Sequence, residues 1–190
     1  MILVEGRSDQ AAIETLAGRR GRPLDDEGIS VVAMGGAAAV SDHLHRLSEF
    51  AGVVAGLCDE GEVGDLRRGL ERVGFGASLT RADLARVGFH VCVADLEDEL
   101  IRAAGVPVVE EVIAGEGDLR SFRTMQGQPA WRGRPVVDQL RRFFGAGAGR
   151  KERYARALVE AVDLSRVPEP LGAVLDHVWR LPPISWRDLP

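Results

Sequence analysis

Lysine is all but missing from this 190-residue chain: Lys151 stands alone beside 23 arginines. A Walker-type phosphate loop needs glycine directly before its lysine and serine or threonine after it, whereas Lys151 sits between Arg150 and Glu152. That loop is therefore excluded, and with it ATP hydrolysis by this route. Histidine is also scarce: His43 and His45 lie two apart, off a common helical face, and His90 and His177 are isolated, so zinc is not expected. The two cysteines, Cys58 and Cys92, fall in the apolar runs VVAGLCD and FHVCVAD, where they read as small buried hydrophobes, not as a disulfide or ligands. No stretch approaches the ~18 apolar residues of a membrane span, and MILVEGRSDQ lacks the order of a signal peptide. A soluble, cytoplasmic protein is the expectation. A dinucleotide fingerprint fails because EGRSDQ follows the first apolar run. There is no internal repeat and no heptad array.

What is present is enough apolar material, 45% of the residues, for one sizeable core. The net charge of −5 hides an asymmetry. Residues 1–118 carry 11 basic and 22 acidic side chains; residues 119–153 carry nine basic ones (Arg120, Arg123, Arg132, Arg134, Arg141, Arg142, Arg150, Lys151, Arg153) against Asp138 and Glu152. The basic strip could contact phosphates directly, while the acidic body would need divalent cations before it could approach a polyanion. A solvated helix face explains the strip equally well on charge alone.

Through the first hundred residues, short apolar runs alternate with longer amphipathic ones, which predicts an α/β fold with an open, mainly parallel sheet. Strands are expected at Ile2–Glu5, Ile29–Met34, Val53–Cys58 and Phe89–Val93. Helices are expected at Asp9–Ala17, Ala38–Phe50, Glu62–Val73, Thr80–Arg86 and Leu96–Ala104, with Ser8 and Ser41 as N-caps. Gly35-Gly36, Gly74, Gly76 and Gly105 read as turns and C-caps. Beyond Gly105 the chain reads as helical: Pro107–Ala114, Leu119–Met125, Val136–Phe144, Arg150–Val162 and Leu171–Trp179, with breaks at Pro129, Pro135, Pro168 and Pro170. The expected organisation is an α/β domain over 1–105, a helical extension packed on it over 106–181, and a loosely ordered tail over 182–190.

The functional crevice of such sheets lies beyond the carboxyl ends of the strands. Here those ends are acidic: Glu5-Gly6 after the first strand, Asp59-Glu60-Gly61-Glu62 after the third, and Asp95-Leu96-Glu97-Asp98-Glu99 after the fourth. Singly, each could be a strand terminus or a first-turn acid favoured by a helix dipole. Together, three strand ends aim carboxylates at one edge, where repulsion calls for a cation, and Mg²⁺ or Mn²⁺ prefers such oxygen ligands. Lys151, in a chain that otherwise uses arginine, is a compact ammonium suited to charge developing on a phosphate.

The segment LVEGRSDQAAIETLA resembles the opening of TOPRIM domains, the fold shared by topoisomerases, bacterial primases and some nucleases. With VAGLCDEGE, FHVCVADLEDEL, LRSFRTMQGQPAWRGR and GAGRKERYARALVEAVD in order, the chain is similar over most of its length to the TOPRIM nuclease half of overcoming-lysogenization-defect (OLD) endonucleases. The resemblance implies a metal-dependent nuclease using one or two ions. By motif, Glu5, Asp9, Asp59 and Glu97 bind metal, Asp95 orients it, Glu5 and Lys151 are catalytic, and Lys151 lies in K-E-R-Y-A. Arg120, Arg123, Arg132, Arg134, Arg141 and Arg142 would track the backbone of a nucleic acid, DNA ahead of RNA. The family's Asp-x-Asp is broken at Gly61, so Glu60 or Glu62 replaces the missing acid, or one metal has fewer ligands. OLD proteins carry an ATPase ahead of the nuclease, which implies an ATPase partner in trans or none. The alternative is a noncatalytic nucleic-acid-binding or partner module. A topoisomerase fragment has no clear nucleophile, since the one tyrosine, Tyr154, lies inside the lysine motif. The aromatics Phe122, Trp131, Phe143 and Phe144 could stack bases but are expected in the core.

Overall fold

The computed structural model describes residues 1–46, 52–147 and 149–180. The end of the helix expected over Ala38–Phe50 and the tail over 182–190 lie outside the described residues. Four short strands, β1 (Ile2–Val4), β2 (Val31–Ala33), β3 (Ala55–Cys58) and β4 (Phe89–Val91), form a parallel sheet in the order β2-β1-β3-β4. In register, Leu3 pairs with Val32 and Gly56, and Leu57 pairs with His90. The open α/β expectation holds, but each strand is shorter than its apolar run: β1 and β4 end early, β3 begins late, and β2 does both.

Among the described residues up to Gly105 the helices are α1 (Arg7–Arg19), α2 (Val40–Arg46), α3 (Val63–Arg72), α4 (Arg81–Arg86) and α5 (Leu96–Ala104). α6 (Val106–Gly115), α7 (Leu119–Gly127), α8 (Val136–Phe144), α9 (Arg150–Ala161) and α10 (Glu169–Arg180) follow. Two of the expected caps are wrong. Ser8 is the second residue of α1, whose N-cap is Gly6, and Asp9 reaches back to accept the Gly6 N–H at 2.8 Å. Ser41 lies inside α2, because a 3-10 turn over Ala37–Ala39 runs straight into the helix without a capping break. Pro170 is not a break either: it sits in the first turn of α10, where a missing N–H is harmless.

Because side chains alternate along a strand, β1 feeds two cores. Ile2 and Val4 face a layer built from α1, α5 and the helices after residue 105, while Leu3 faces α2, α3 and α4. α9 packs along α1, and α10 lies against β3 and β4. The later helices thus cover one face of the sheet. Tight approach at the centre depends on Gly56: a Cβ there would stand 2.6 Å from the Phe89 ring and 2.9 Å from the Leu3 carbonyl oxygen.

Candidate metal and nucleic-acid site

The parallel sheet directs the loops after β1, β3 and β4 to one edge, and α9 brings Lys151 to the same place. They enclose a cleft of about 550 Å³ lined by Glu5, Asp9, Asp59, Glu62, Glu97 and Lys151, among others. Glu5 leaves the end of β1, and its Oε1 accepts the Asp59 N–H at 2.8 Å, tying the first and third strand ends together. Asp9, one turn into α1, is 8% exposed.

Three of these carboxyls are pushed well above their ordinary range. Burial raises Glu5 to about 7 against the Asp59 N–H, with Glu62 and Asp9 adding repulsion. Burial also raises Asp9 to about 7, helped by Asp59 and Glu97. Asp59 rises to about 7 for the same first reason, then through Glu5, Asp95 and Glu97. The cluster therefore resists full ionisation unless a cation joins it.

The cation that the chain itself supplies is Lys151. Its Nζ lies 3.2 Å from Glu97 Oε1, an ion pair on a buried oxygen that meets no other polar partner. Burial pulls the Lys151 ammonium down, but Glu97, Asp95 and Asp59 outweigh it and hold its pKa above the ordinary lysine value. It is a charged group at neutral pH, not a base.

The two glutamates flanking Gly61 part ways. Glu60 turns away to an ion pair with Arg81, whereas Glu62 lines the cleft, contacts Glu5 and accepts the Ala37 N–H at 2.7 Å. Glu62 is thus the one of the pair that stands in the cleft. Asp95 is less free than its motif suggests: Oδ1 caps α5 through the Asp98 N–H at 2.8 Å, and Oδ2 pairs with Arg141.

Oxygen donors of this kind fit a hard divalent cation, and Glu97 Oε1 is a buried acceptor met only by the Lys151 ammonium. The fit is not preformed: among the described residues no three acidic, histidine or cysteine side chains converge as a metal cage. Binding would require side chains to rotate inward from the backbone N–H groups that now hold them.

Residues 1–60 match the family model "Overcoming lysogenization defect protein-like, TOPRIM domain". Over those residues the chain is similar to OLD-like TOPRIM domains. Its fold is that of the C-terminal region of the Xanthomonas campestris pv. campestris OLD protein, at 24% identity over 93% of this chain and 92% of that one, TM-score 0.65. The C-terminal region of the Burkholderia pseudomallei OLD protein is similar at 19% identity over 93% and 95%, TM-score 0.67. No curated protein matches the chain.

The arginines proposed from the sequence divide by their partners. Arg123 is held bidentately by Glu110 at 2.9 and 2.7 Å, and Arg141 by Asp95. Arg132 and Arg134 donate to the carbonyls of Gly127 and Ala130. Arg120 and Arg142 are exposed, and their guanidinium groups carry no ion pair or hydrogen bond among the described residues. Arg7, exposed at the start of α1 and lining the carboxylate cleft, escaped the sequence reading because it lies outside the basic strip. Tyr154 is 1% exposed and donates to Asp118 at 3.0 Å, a structural role. Among the described residues no helix is long and apolar enough to cross a membrane.

Proposed function

We propose that this OLD-like TOPRIM domain is a divalent-metal-dependent nuclease that hydrolyses phosphodiester bonds of nucleic acid, with DNA the expected polymer. The observation that carries the reading is the raised trio of Glu5, Asp9 and Asp59, gathered in one cleft at the carboxyl edge of the parallel sheet, where burial and mutual charge hold them near 7. Perturbation of this kind in a cleft is characteristic of functional sites. Glu5, Asp9, Asp59 and Glu97 would hold Mg²⁺ or Mn²⁺, with Glu62 standing in for the acid absent at Gly61. When bound, the ion supplies Lewis acidity to the phosphoryl group and to water.

The chain's own residues do the rest. Asp95, fixed by the Asp98 N–H and Arg141, keeps the start of α5 and hence Glu97 in position. Lys151, held protonated, leaves Glu97 to neutralise charge on the departing oxygen or to give it a proton. Arg7 at the cleft mouth would meet the phosphate backbone. An ATPase partner in trans is compatible with this role, since Lys151 belongs to no Walker loop.

A plasmid-nicking assay with Mg²⁺ or Mn²⁺ tests the proposal on the wild type and Glu5→Gln. Metal-dependent nicking that Glu5→Gln abolishes is the expected result; nicking that survives the substitution would identify a contaminant. The absence of a preformed cage favours one other reading, a noncatalytic binding module, for which both proteins would retain DNA binding and neither would nick.

A further inference from the structure

Three of the four aromatics interleaved with the basic strip are core residues: Phe122, Phe143 and Phe144 are at most 2% exposed and pack on one another or on Tyr154. Trp131 is not. It is half-buried, in the turn between α7 and α8, and it lines two adjoining grooves.

Those grooves extend the carboxylate cleft. The cleft shares Glu97 and Lys151 with a groove of about 440 Å³ that also takes in Trp131, Arg141 and Arg142. That groove shares Trp131 and Arg142 with a third, of about 620 Å³, reaching Arg120 and Arg150. Acid thus gives way to base along one continuous surface, with an indole where the second and third grooves meet.

The Trp131 turn is fixed by a buried amide. Gln139, 5% exposed, donates from Nε2 to the Trp131 carbonyl at 2.8 Å, and its Oε1 accepts from Gln126 Nε2 at 2.7 Å. The Trp131 N–H donates to the Gln128 carbonyl at 2.9 Å, and the Arg134 guanidinium lies 5.2 Å from the ring centroid. An indole on a fixed turn, in grooves that also hold the unpaired side chains of Arg120 and Arg142, is the arrangement that binds an unstacked base between phosphates.

We propose that Trp131, Arg142 and Arg120 form a nucleotide subsite, taking one base and its flanking phosphates from an unpaired strand that leads out of the carboxylate cleft. Its direction rests on the nuclease reading; its chemistry does not. The strand must be unpaired at this point because a base inside a duplex is stacked on both faces and cannot reach a side chain.

Anisotropy of a fluorescein-labelled oligothymidylate and of a duplex of equal length, both in EDTA so that nothing is cut, tests the subsite. Trp131→Ala is expected to weaken single-strand binding about tenfold and duplex binding less than about twofold, while Trp131→Phe keeps most of the affinity. Arg142→Ala should lower the slope of log affinity against log salt by about 0.7 for the single strand. Should Trp131→Ala fail to fold, quenching of indole fluorescence by the oligonucleotide, lost in Trp131→Phe, gives the same answer. Single-strand binding by Trp131→Ala equal to wild type, or quenching unchanged in Trp131→Phe, would overturn the subsite. A protein that shows the Trp131 dependence yet cuts nothing in Mg²⁺ or Mn²⁺ sustains the subsite and refutes the nuclease. One that cuts with binding independent of Trp131 does the reverse.

Discussion

Asp9→Asn removes a charge that the metal-free fold holds at a cost while keeping the shape of the side chain. In the folded chain Asp9 is raised from 3.8 to about 7, first by burial. At about 1.4 kcal/mol per pH unit, holding it ionised above pH 7 costs on the order of 4 kcal/mol relative to the unfolded chain. Asparagine still accepts the Gly6 N–H, but as a neutral acceptor it gives back about 1 kcal/mol. The variant should therefore be more stable than wild type by about 2–3 kcal/mol at about pH 8 in EDTA. The sign follows from proton binding. The folded carboxyl holds its proton more tightly than the unfolded one, so wild-type stability from this group falls as pH rises from about 4 to about 7, and the gap between the proteins opens over that window. Divalent metal should close it, since an ion at 100 times its Kd adds about 2.7 kcal/mol to the form that binds it. Urea unfolding at several pH values, with and without Mg²⁺, reads all three effects. A variant less stable than wild type at about pH 8 in EDTA, or a gap that does not change with pH, would refute the reasoning.

Gly56→Ala should destabilise by about 3 kcal/mol in urea unfolding, because the added methyl meets the Phe89 ring and the Leu3 carbonyl with no room for either to yield. Lys151→Met should slow metal-dependent cleavage about 100-fold or more, and Lys151→Arg should restore part of it, since the charge beside Glu97 returns with a different shape. Single-turnover cleavage rates measure both, and a Lys151→Met enzyme as fast as wild type would remove Lys151 from the chemistry.

Much of the fold is legible in the sequence because its signals are local. The apolar runs mark every strand, and the periodicity of LEDELIRAA and VVDQLRRFF bounds α5 and α8 to the residue. The two cap errors came from ranking serine as the capping residue, when at α1 a backbone N–H and the following aspartate do the work and at α2 a 3-10 turn removes the need.

By itself the sequence determined that carboxylates would stand at the ends of β1, β3 and β4, because a strand end is a position in the chain and a parallel sheet gathers such ends on one side. Only the tertiary structure decided which of them meet. It put Glu62 in the cleft and turned Glu60 out to Arg81, set Asp95 as a cap beside Arg141, tied Arg123 to Glu110, and left Arg120, Arg142 and Trp131 open along the groove. The physical reason is range. Hydrophobic period and strand termini are written over a few neighbouring residues, whereas a charge is satisfied or left free by partners such as Arg141 and Asp95, 46 residues apart, that only the packed chain brings together.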